Sequence, residues 1–225
     1  MKLIVEPHID DAAIGCGLLM SKLAQKNEAF AILSVSYYNY NQRDVRAKKA
    51  LKALFENEYN FSKLYHYHLD PTYEIRTFFP QHYEYIKLNM SYNLNKINKS
   101  FDITEVYIPS ADNHIDHEVI NRICKQIFRP VKGSKIDTII EYEIPNSKTL
   151  EFGSNNADQS FNYFIFGSKS DHNFKRKLLD NYIENYNLKE KDDFRSAEFV
   201  LKHNELIGYK YGYDSGERYK IIFKK

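Results

Sequence analysis

Short apolar runs alternate with segments of helical spacing along the first 142 residues of the chain. The apolar runs predict β-strands at residues 2–5, 30–37, 64–69, 104–108 and 136–142. Apolar residues spaced three and four apart predict helices at residues 12–26, 41–56, 80–98 and 116–128. Strands and helices that alternate in this way favour an α/β fold, in which helices cover both faces of a mostly parallel sheet.

The pattern becomes less regular after residue 142. Residues 172–187 have helical spacing, and the rest of the C-terminal region combines a helix, a glycine-rich loop and a final strand. No repeat, low-complexity tract or linker interrupts the 225 residues, a length that suits one α/β domain. The sequence therefore predicts a single domain over residues 1–225.

Composition narrows the class of protein. Hydrophobic residues make up 43% of the chain, enough for a sizeable core. The 32 basic and 30 acidic residues nearly balance, so we expect no nucleic-acid partner. The longest basic run, Lys175–Lys177, is typical of the exposed side of a helix. We expect a cytoplasmic protein, because no signal-like segment begins the chain and no segment approaches the roughly 20 apolar residues of a transmembrane helix.

The two cysteines, Cys16 and Cys124, lie far apart in sequence and indicate reduced thiols rather than a disulfide framework. Cys16 falls near the start of a predicted helix, a position that can lower a thiol pKa. No general base accompanies Cys16, so we expect no nucleophilic role for it.

A first polar motif, Pro7-His8-Ile9-Asp10-Asp11, lies between the first predicted strand and the first predicted helix. Ligands of parallel α/β sheets bind outside the carboxyl ends of the strands, where this turn is expected. A histidine and an aspartate three residues apart can converge on one cation, and the aspartate between them can point into the same pocket. Alternatively, Asp10 and Asp11 cap the helix that follows, as acidic residues often do.

A second motif occupies residues 112–117, again between a strand and a helix, and contains His114, Asp116 and His117. Taken alone, it is equally well interpreted as a metal site or as a surface cluster. The two motifs together favour the metal site, because two such clusters at the ends of two strands of one sheet can face the same crevice.

A site of two imidazoles and one carboxylate leaves an open position for water, as catalytic zinc sites do. The metal lowers the pKa of that water from 15.7 toward about 7. A further carboxylate can accept the proton of the water, and a further histidine can face the oxyanion that forms at the carbonyl. The two motifs therefore predict metal-assisted hydrolysis.

At these residues the sequence closely resembles the PIG-L/LmbE family of N-acetyl-sugar deacetylases, which carries a His-x-Asp-Asp motif and a later His-x-Asp-His motif. The resemblance implies a Rossmann-like sheet, a bound Zn²⁺ (or Fe²⁺ or another divalent metal) and an N-acylated, glucosamine-type sugar or glycoconjugate as substrate. By position, it makes Asp10 the general base, His114 the residue that faces the oxyanion, and Asp116 the partner of His114. The metal ligands implied by position are His8, Asp11 and His117.

The resemblance extends beyond the two motifs. Residues 143–147 resemble a strand that ends in Glu-x-Pro-Ser, and residues 195–196 resemble an Arg-Ser pair near the C-terminus. Ala12 stands where many members have glutamate, and Arg46 replaces the glutamate of a more usual Arg-x-x-Glu. We therefore expect Arg43 and Arg46 to contact substrate, although a solvated role on a basic helix is an equally good interpretation.

The remaining histidines are expected to have structural roles: His66, His68, His82, His172 and His203. Two alternatives to deacetylation of an amino sugar remain open. The chain could be a non-catalytic sugar-binding relative, or it could hydrolyse a non-sugar amide or an ester, because loops rather than the metal read the substrate. A homo-oligomer is also compatible with the sequence.

Overall fold

The computed structural model describes residues 1–36, 43–69, 79–111, 114–145, 161–186 and 196–225. Its strands form one sheet in the order β3-β2-β1-β4-β5-β7-β6. Strands β1 to β5 are parallel, and β7 runs antiparallel to both β5 and β6. The strands are β1 (Lys2–Glu6), β2 (Phe30–Ser34), β3 (Leu64–His68), β4 (Glu105–Pro109), β5 (Thr138–Tyr142), β6 (Tyr163–Gly167) and β7 (Ser215–Lys224).

Helices cover both faces of this sheet, which confirms the predicted α/β architecture. One core cluster packs α1, α2, α5 and α6 against the sheet, and a second packs α3 and α4 against the opposite face. Among the described helices, none is both long enough and apolar enough to cross a bilayer. The helices are α1 (Asp11–Gln25), α2 (Arg43–Tyr59), α3 (Tyr83–Ser100), α4 (Ile115–Ile127), α5 (Lys169–Tyr186) and α6 (Ala197–Lys210), and a 3-10 helix (Phe79–His82) precedes α3.

Strand order reverses between β1 and β4. The chain moves from β1 through β2 to β3 on one side, and then returns to add β4 and β5 on the other side of β1. The segments that leave β1 and β4 therefore diverge, and a crevice opens between them at the carboxyl ends of the strands. The two polar motifs lie in these two segments.

The C-terminal region departs most from the sequence prediction. The predicted helix at 172–187 begins earlier, at Lys169, and the edge strand β6 was not predicted. The prediction missed β6 because this strand is partly exposed and pairs only with β7, which is far away in sequence. Helix α4 begins at Ile115, one residue earlier than expected, because His114 is its N-cap.

Helix α1 is kinked at Cys16, whose φ and ψ of −129° and 17° are not helical. The N–H groups of Leu18 and Leu19 donate instead to the carboxylate of Glu217 on β7, at 2.8 and 3.1 Å. The carbonyl of Ile14, which a regular helix would pair with Leu18, accepts from Lys175 Nζ at 2.6 Å.

Tyr219 completes this arrangement, because its hydroxyl lies 3.3 Å from the Gly15 carbonyl oxygen and 2.6 Å from Glu217 Oε2. We call Lys175, Glu217 and Tyr219 the buried clamp. Lys175 is 0% exposed and pairs with Glu217 at 2.7 Å, so the prediction that residues 175–177 form an exposed basic run is wrong for Lys175. The clamp supplies the hydrogen bonds that the kink removes, and so leaves few polar groups unsatisfied in the core.

Two glycines of α1 permit these close approaches. A Cβ on Gly15 would lie 2.4 Å from Cδ2 of Tyr142, and a Cβ on Gly17 would lie 2.8 Å from Cγ of Lys175. Glycine fits at both positions because it has no Cβ to collide with these neighbours.

Candidate metal centre

The first motif forms a tight turn between β1 and α1. The His8 N–H donates to Asp11 Oδ2 at 2.8 Å, and the Asp11 N–H donates to the His8 carbonyl at 3.1 Å. This turn sets His8 Nδ1 3.3 Å from Asp11 Oδ2. Asp10 is the N-cap residue of α1, but its side chain makes no capping hydrogen bond. Capping therefore does not account for Asp10.

The second motif sits at the start of α4. His114 caps the helix, with Nδ1 accepting a hydrogen bond from the Asp116 N–H at 3.3 Å. The His117 N–H donates to the His114 carbonyl at 3.0 Å, which begins the first turn. Asp116 and His117 are buried, whereas the His114 side chain is 48% exposed. Residues 112 and 113 lie outside the described residues.

The two motifs meet across the crevice. His117 Nε2 lies 3.5 Å from Asp11 Oδ2, and His8 Nε2 lies 3.3 Å from Asp116 Oδ2. The ring of His114 stacks on His117 with centroids 4.6 Å apart, and it meets His8 edge-on at 4.9 Å. Five of the six motif residues predicted to act thus form one cluster, with Asp10 next to it in the chain.

Two overlapping groups in this cluster could hold a cation: His8, Asp11 and His117, or His8, His114 and Asp116. The donor atoms of each group lie within 4.8 Å of one another. The first group fits better, because Asp11 Oδ2 lies 3.3 Å from His8 Nδ1 and 3.5 Å from His117 Nε2, whereas Asp116 Oδ2 lies 4.0 Å from His114 Nδ1. Two imidazoles and one carboxylate are a donor set that suits Zn²⁺ or Fe²⁺.

Two buried carboxylates dominate the electrostatics of this cluster. Burial opposes the charged form of His8, but hydrogen bonds to Asp11 and Asp116 raise its pKa to about 9. Burial likewise opposes ionisation of Asp11, yet its contacts with His117 and His8 hold its pKa well below the ordinary value. Burial and the charges of His117 and His8 lower the pKa of His114. The cluster is thus built for positive charge, and a bound cation would displace a proton from His8.

The structure adds a buried carboxyl that sequence reasoning missed. Glu6, the last residue of β1, accepts from the Ala12 N–H at 3.1 Å and from Ser34 Oγ at 2.5 Å. Burial raises the pKa of Glu6 well above its ordinary value. His66 joins this group, because its Nε2 lies 2.6 Å from Ser34 Oγ and 3.4 Å from Glu6 Oε1. An acid that ends an apolar strand directly before the first motif was the signal available in the sequence.

Glu143 lies just beyond β5, in the segment that resembles the Glu-x-Pro-Ser strand end. It accepts from Arg218 Nε at 2.7 Å and from His203 Nε2 at 3.0 Å. Burial favours its neutral form, but His203 and Arg218 hold its pKa below the ordinary value. His203 therefore has a structural partner, and so does His172, whose Nε2 lies 3.3 Å from Glu205.

No described contact joins the predicted substrate-binding residues, Arg43 and Arg46, to the His/Asp cluster. Arg46 is exposed on α2, and Arg43 begins the same helix with its side chain outside the described residues. Of the pair that resembles the family's Arg-Ser, residue 195 lies outside the described residues, and Ser196 is the N-cap of α6. These substrate-contact assignments stay predictions.

Comparison with protein families gives one match. The family model described as PIG-L, GlcNAc-PI de-N-acetylase, matches residues 3–128, which include both polar motifs. A search of curated proteins gave no match.

Several solved structures share the fold at low sequence identity. The zinc-inhibited form of teicoplanin deacetylase Orf2 has a TM-score of 0.70 and 13% identity, over 100% of this chain and 98% of that one. N,N'-diacetylchitobiose deacetylase from Pyrococcus horikoshii, complexed with an inhibitor, has a TM-score of 0.63 and 16% identity, over 98% and 83%. GalB, a 4-carboxy-2-hydroxymuconate hydratase from Pseudomonas putida, has a TM-score of 0.61 and 11% identity, over 100% and 98%. The fold alone therefore does not determine the reaction.

Proposed function

Because this chain belongs to the PIG-L family, we propose that it is a zinc-dependent hydrolase that removes the N-acetyl group from an N-acetylglucosamine-type amino sugar or its conjugate. One observation carries the proposal: two motifs over 100 residues apart in sequence place two imidazoles and a carboxylate within 4.8 Å of one another. In this proposal residues 1–225 form one deacetylase domain.

His8, Asp11 and His117 would hold the cation. A divalent cation supplies Lewis-acid polarisation of a carbonyl and makes hydroxide accessible near neutral pH. Asp116 has a supporting part, because its carboxylate contacts His8 Nε2 while its N–H fixes the ring of His114. The carboxylate lies farther from His114, with Oδ2 4.0 Å from Nδ1.

Asp10 would act as the general base. It directly precedes the ligand Asp11, it is only partly buried, and its carboxylate is not used to cap α1. A carboxylate in this position can accept the proton of the attacking water and return it to the departing amine.

His114 would face the carbonyl oxygen. Since its Nδ1 accepts a backbone hydrogen bond, its neutral ring carries the proton on Nε2. Its lowered pKa favours this neutral form, and 48% of the side chain is exposed. Nε2–H can therefore donate to the oxyanion as negative charge develops there.

Replacement of a ligand tests the metal assignment. His117→Ala should remove most of the bound metal, because it deletes one of only three protein ligands. Elemental analysis of purified parent and variant measures the metal content. His82→Ala, which changes an exposed histidine, is the matched control and should keep its metal. A His117→Ala protein as rich in metal as the parent would show that the ligands are assigned wrongly.

Asp10→Asn separates an enzyme from a binding protein. Asparagine keeps the size of the side chain but cannot carry a proton, so turnover should fall by roughly 10²–10⁴-fold while metal content stays the same. Acetate release from N,N'-diacetylchitobiose and from N-acetylglucosaminyl conjugates measures turnover. Equal rates in parent and variant would refute the base assignment. A metal-loaded parent that binds these sugars but releases no acetate would favour the binding relative, and release from other amides or esters alone would favour the second alternative.

A further inference from the structure

A cavity of about 540 Å³ lies at the edge of the sheet, between β3 and α2. Its floor is the strand Leu64–His68, and its wall is the side of α2 that carries Val45, Lys48, Lys49 and Lys52. β3 is an edge strand of the described sheet and is separated from β1, and hence from the first polar motif, by β2. The cavity is therefore separate from the predicted metal ligands, although its His66 contacts Glu6, the last residue of β1.

The charged side chains that line this cavity are three lysines, set among apolar and aromatic residues. Two histidines also line it, and no carboxylate occurs among the described residues that do so. Lys48 and Lys52 lie four residues apart on one face of α2, a like-charge spacing that destabilises a helix. Among the described ion pairs, Lys52 Nζ pairs with Glu56, which lies one turn away on the exposed surface, at 3.8 Å. A concave surface whose charged lining residues all have one sign attracts ions of the other sign.

The two histidines on the floor favour the neutral form. His66 is fixed by the 2.6 Å contact of its Nε2 with Ser34 Oγ, and its Nδ1 has no hydrogen-bond partner among the described residues. Burial and then the neighbouring charges, including that of Lys48, lower the pKa of His66 and His68. Lys48 itself donates to the His66 carbonyl at 2.5 Å, which holds this positive charge beside the strand. An anion in the cavity would offset the charge that opposes protonation of both histidines.

We propose that this cavity is a binding site for an organic phosphate. Lysine ammonium groups bind phosphate as point charges, and three of them line one wall. The volume lies within the range of small-molecule sites and is too large for a phosphate ion alone, which leaves room for the organic part of the molecule. This proposal concerns a second site and does not require the metal centre to catalyse deacetylation.

The test uses a pair of lysines that can be changed without disturbing the core. Lys49 and Lys52 are exposed, so Lys49→Ala/Lys52→Ala should leave the fold intact. The matched control is Lys96→Ala/Lys99→Ala on α3, which has the same spacing, exposure and loss of charge. Isothermal titration with pyrophosphate is carried out on the metal-loaded parent, on both double variants and on His117→Ala, in which binding to the metal centre is removed.

We expect saturable binding that is weakened at least tenfold in Lys49→Ala/Lys52→Ala and is unchanged within about twofold in the control and in His117→Ala. Three results would overturn the proposal: no saturable binding to the parent, equal weakening in both double variants, or loss of binding in His117→Ala alone. Because the titration does not depend on turnover, failure of the proposed deacetylase function leaves its result interpretable.

Kinetic measurements then identify the source of the phosphate. A rise in KM in Lys49→Ala/Lys52→Ala for a uridine diphosphate sugar, with no rise for N,N'-diacetylchitobiose, means that the substrate itself carries the phosphate. A change in the rate of the neutral substrate on addition of pyrophosphate, seen in the parent and absent in the double variant, means that the phosphate compound is a separate ligand.

Discussion

Charged groups cluster against helix α1 at two places, and the two clusters differ in how their charges are paired. At its start, the candidate metal centre joins His8, Asp11 and His117 in a crevice that solvent reaches, with the His8 side chain 22% exposed. At its kink, the buried clamp joins Lys175 and Glu217 with both side chains at most 2% exposed. Both clusters pair nitrogen atoms with carboxylates, and the first also has the donor atoms to hold a cation.

The difference lies in the balance of donors and acceptors. In the buried clamp, the Glu217 carboxylate accepts from two backbone N–H groups, from Lys175 and from Tyr219, so its lone pairs are used within the protein. At the candidate metal centre, the carboxylates of Asp11 and Asp116 both contact His8, and these hydrogen bonds raise the pKa of His8 to about 9. A cation could offset the excess negative charge at the candidate metal centre, whereas the charges of the buried clamp offset each other within the protein.

Lys175→Met tests the structural role of the buried clamp and should produce the largest effect on stability. Methionine keeps most of the side-chain volume but leaves the Glu217 charge buried without its cationic partner. Removing one partner of a buried pair typically lowers the free energy of unfolding by about 3–5 kcal/mol. Urea denaturation measures this change, and the metal content of the folded variant should match that of the parent.

Lys177→Ala is the matched control for this experiment. Lys177 pairs with Glu58 at 2.7 Å, but its side chain is 53% exposed, so the loss should stay within about 1 kcal/mol. Equal losses for the two lysine variants would mean that the buried clamp contributes no more than a surface ion pair.

His114→Ala tests the opposite side of the comparison. The loss of one oxyanion donor typically costs about 2.7–4 kcal/mol of transition-state stabilisation, so turnover should fall by roughly 10²–10³-fold. Metal content should stay nearly unchanged, and the lost N-cap should lower the free energy of unfolding by about 1 kcal/mol. Acetate release, elemental analysis and urea denaturation give the three quantities.

His114→Ser separates capping from catalysis. Serine restores an acceptor at the N-cap but is too short to replace the imidazole, so stability should recover while turnover stays low. Recovery of turnover would assign His114 to the helix rather than to the reaction. Loss of metal from either variant would instead favour the ligand group formed by His8, His114 and Asp116.

The sequence could single out the residues of the candidate metal centre because each half of it is local. His8, Asp10 and Asp11 occur within four residues, and the turn that holds His8 beside Asp11 uses hydrogen bonds within the motif itself. Each preceding strand contains three consecutive apolar residues, at 3–5 and 106–108, so the carboxyl ends could be located and assigned to one side of the sheet. Only the meeting of the two motifs required the tertiary structure.

The buried clamp could not be predicted in the same way. Lys175 and Glu217 belong to residue types that are almost always exposed, and their partners on α1 are 161 and 199 residues away. Their burial depends on a kink at Cys16, which creates the unpaired backbone groups that they satisfy. Gly15 and Gly17 permit the close approach to α1, but a glycine does not identify which residue will make it.

Asp171 gives a third and smaller test, since it ties the second half of α1 to α5. Its carboxylate accepts from Lys22 at 2.7 Å and from Ser21 at 2.7 Å. Burial opposes its ionisation, but the hydrogen bonds from Lys22, Ser21 and Ser168 lower its pKa from 3.8 to about 2. A carboxyl whose pKa is lower in the folded state stabilises the fold above its ordinary pKa. That contribution is lost as the pH falls toward the folded value.

The parent should therefore lose about 1 kcal/mol of unfolding free energy between pH 5 and pH 3 that Asp171→Asn does not lose, because asparagine does not titrate. Urea denaturation of both proteins at the two pH values measures the difference. Identical pH dependence in the two proteins would mean that the tie through Asp171 does not depend on its charge. A difference of the expected size, set beside a larger loss of unfolding free energy in Lys175→Met, would mean that the ion pair of Asp171 stabilises the packing of α1 less than the buried clamp does.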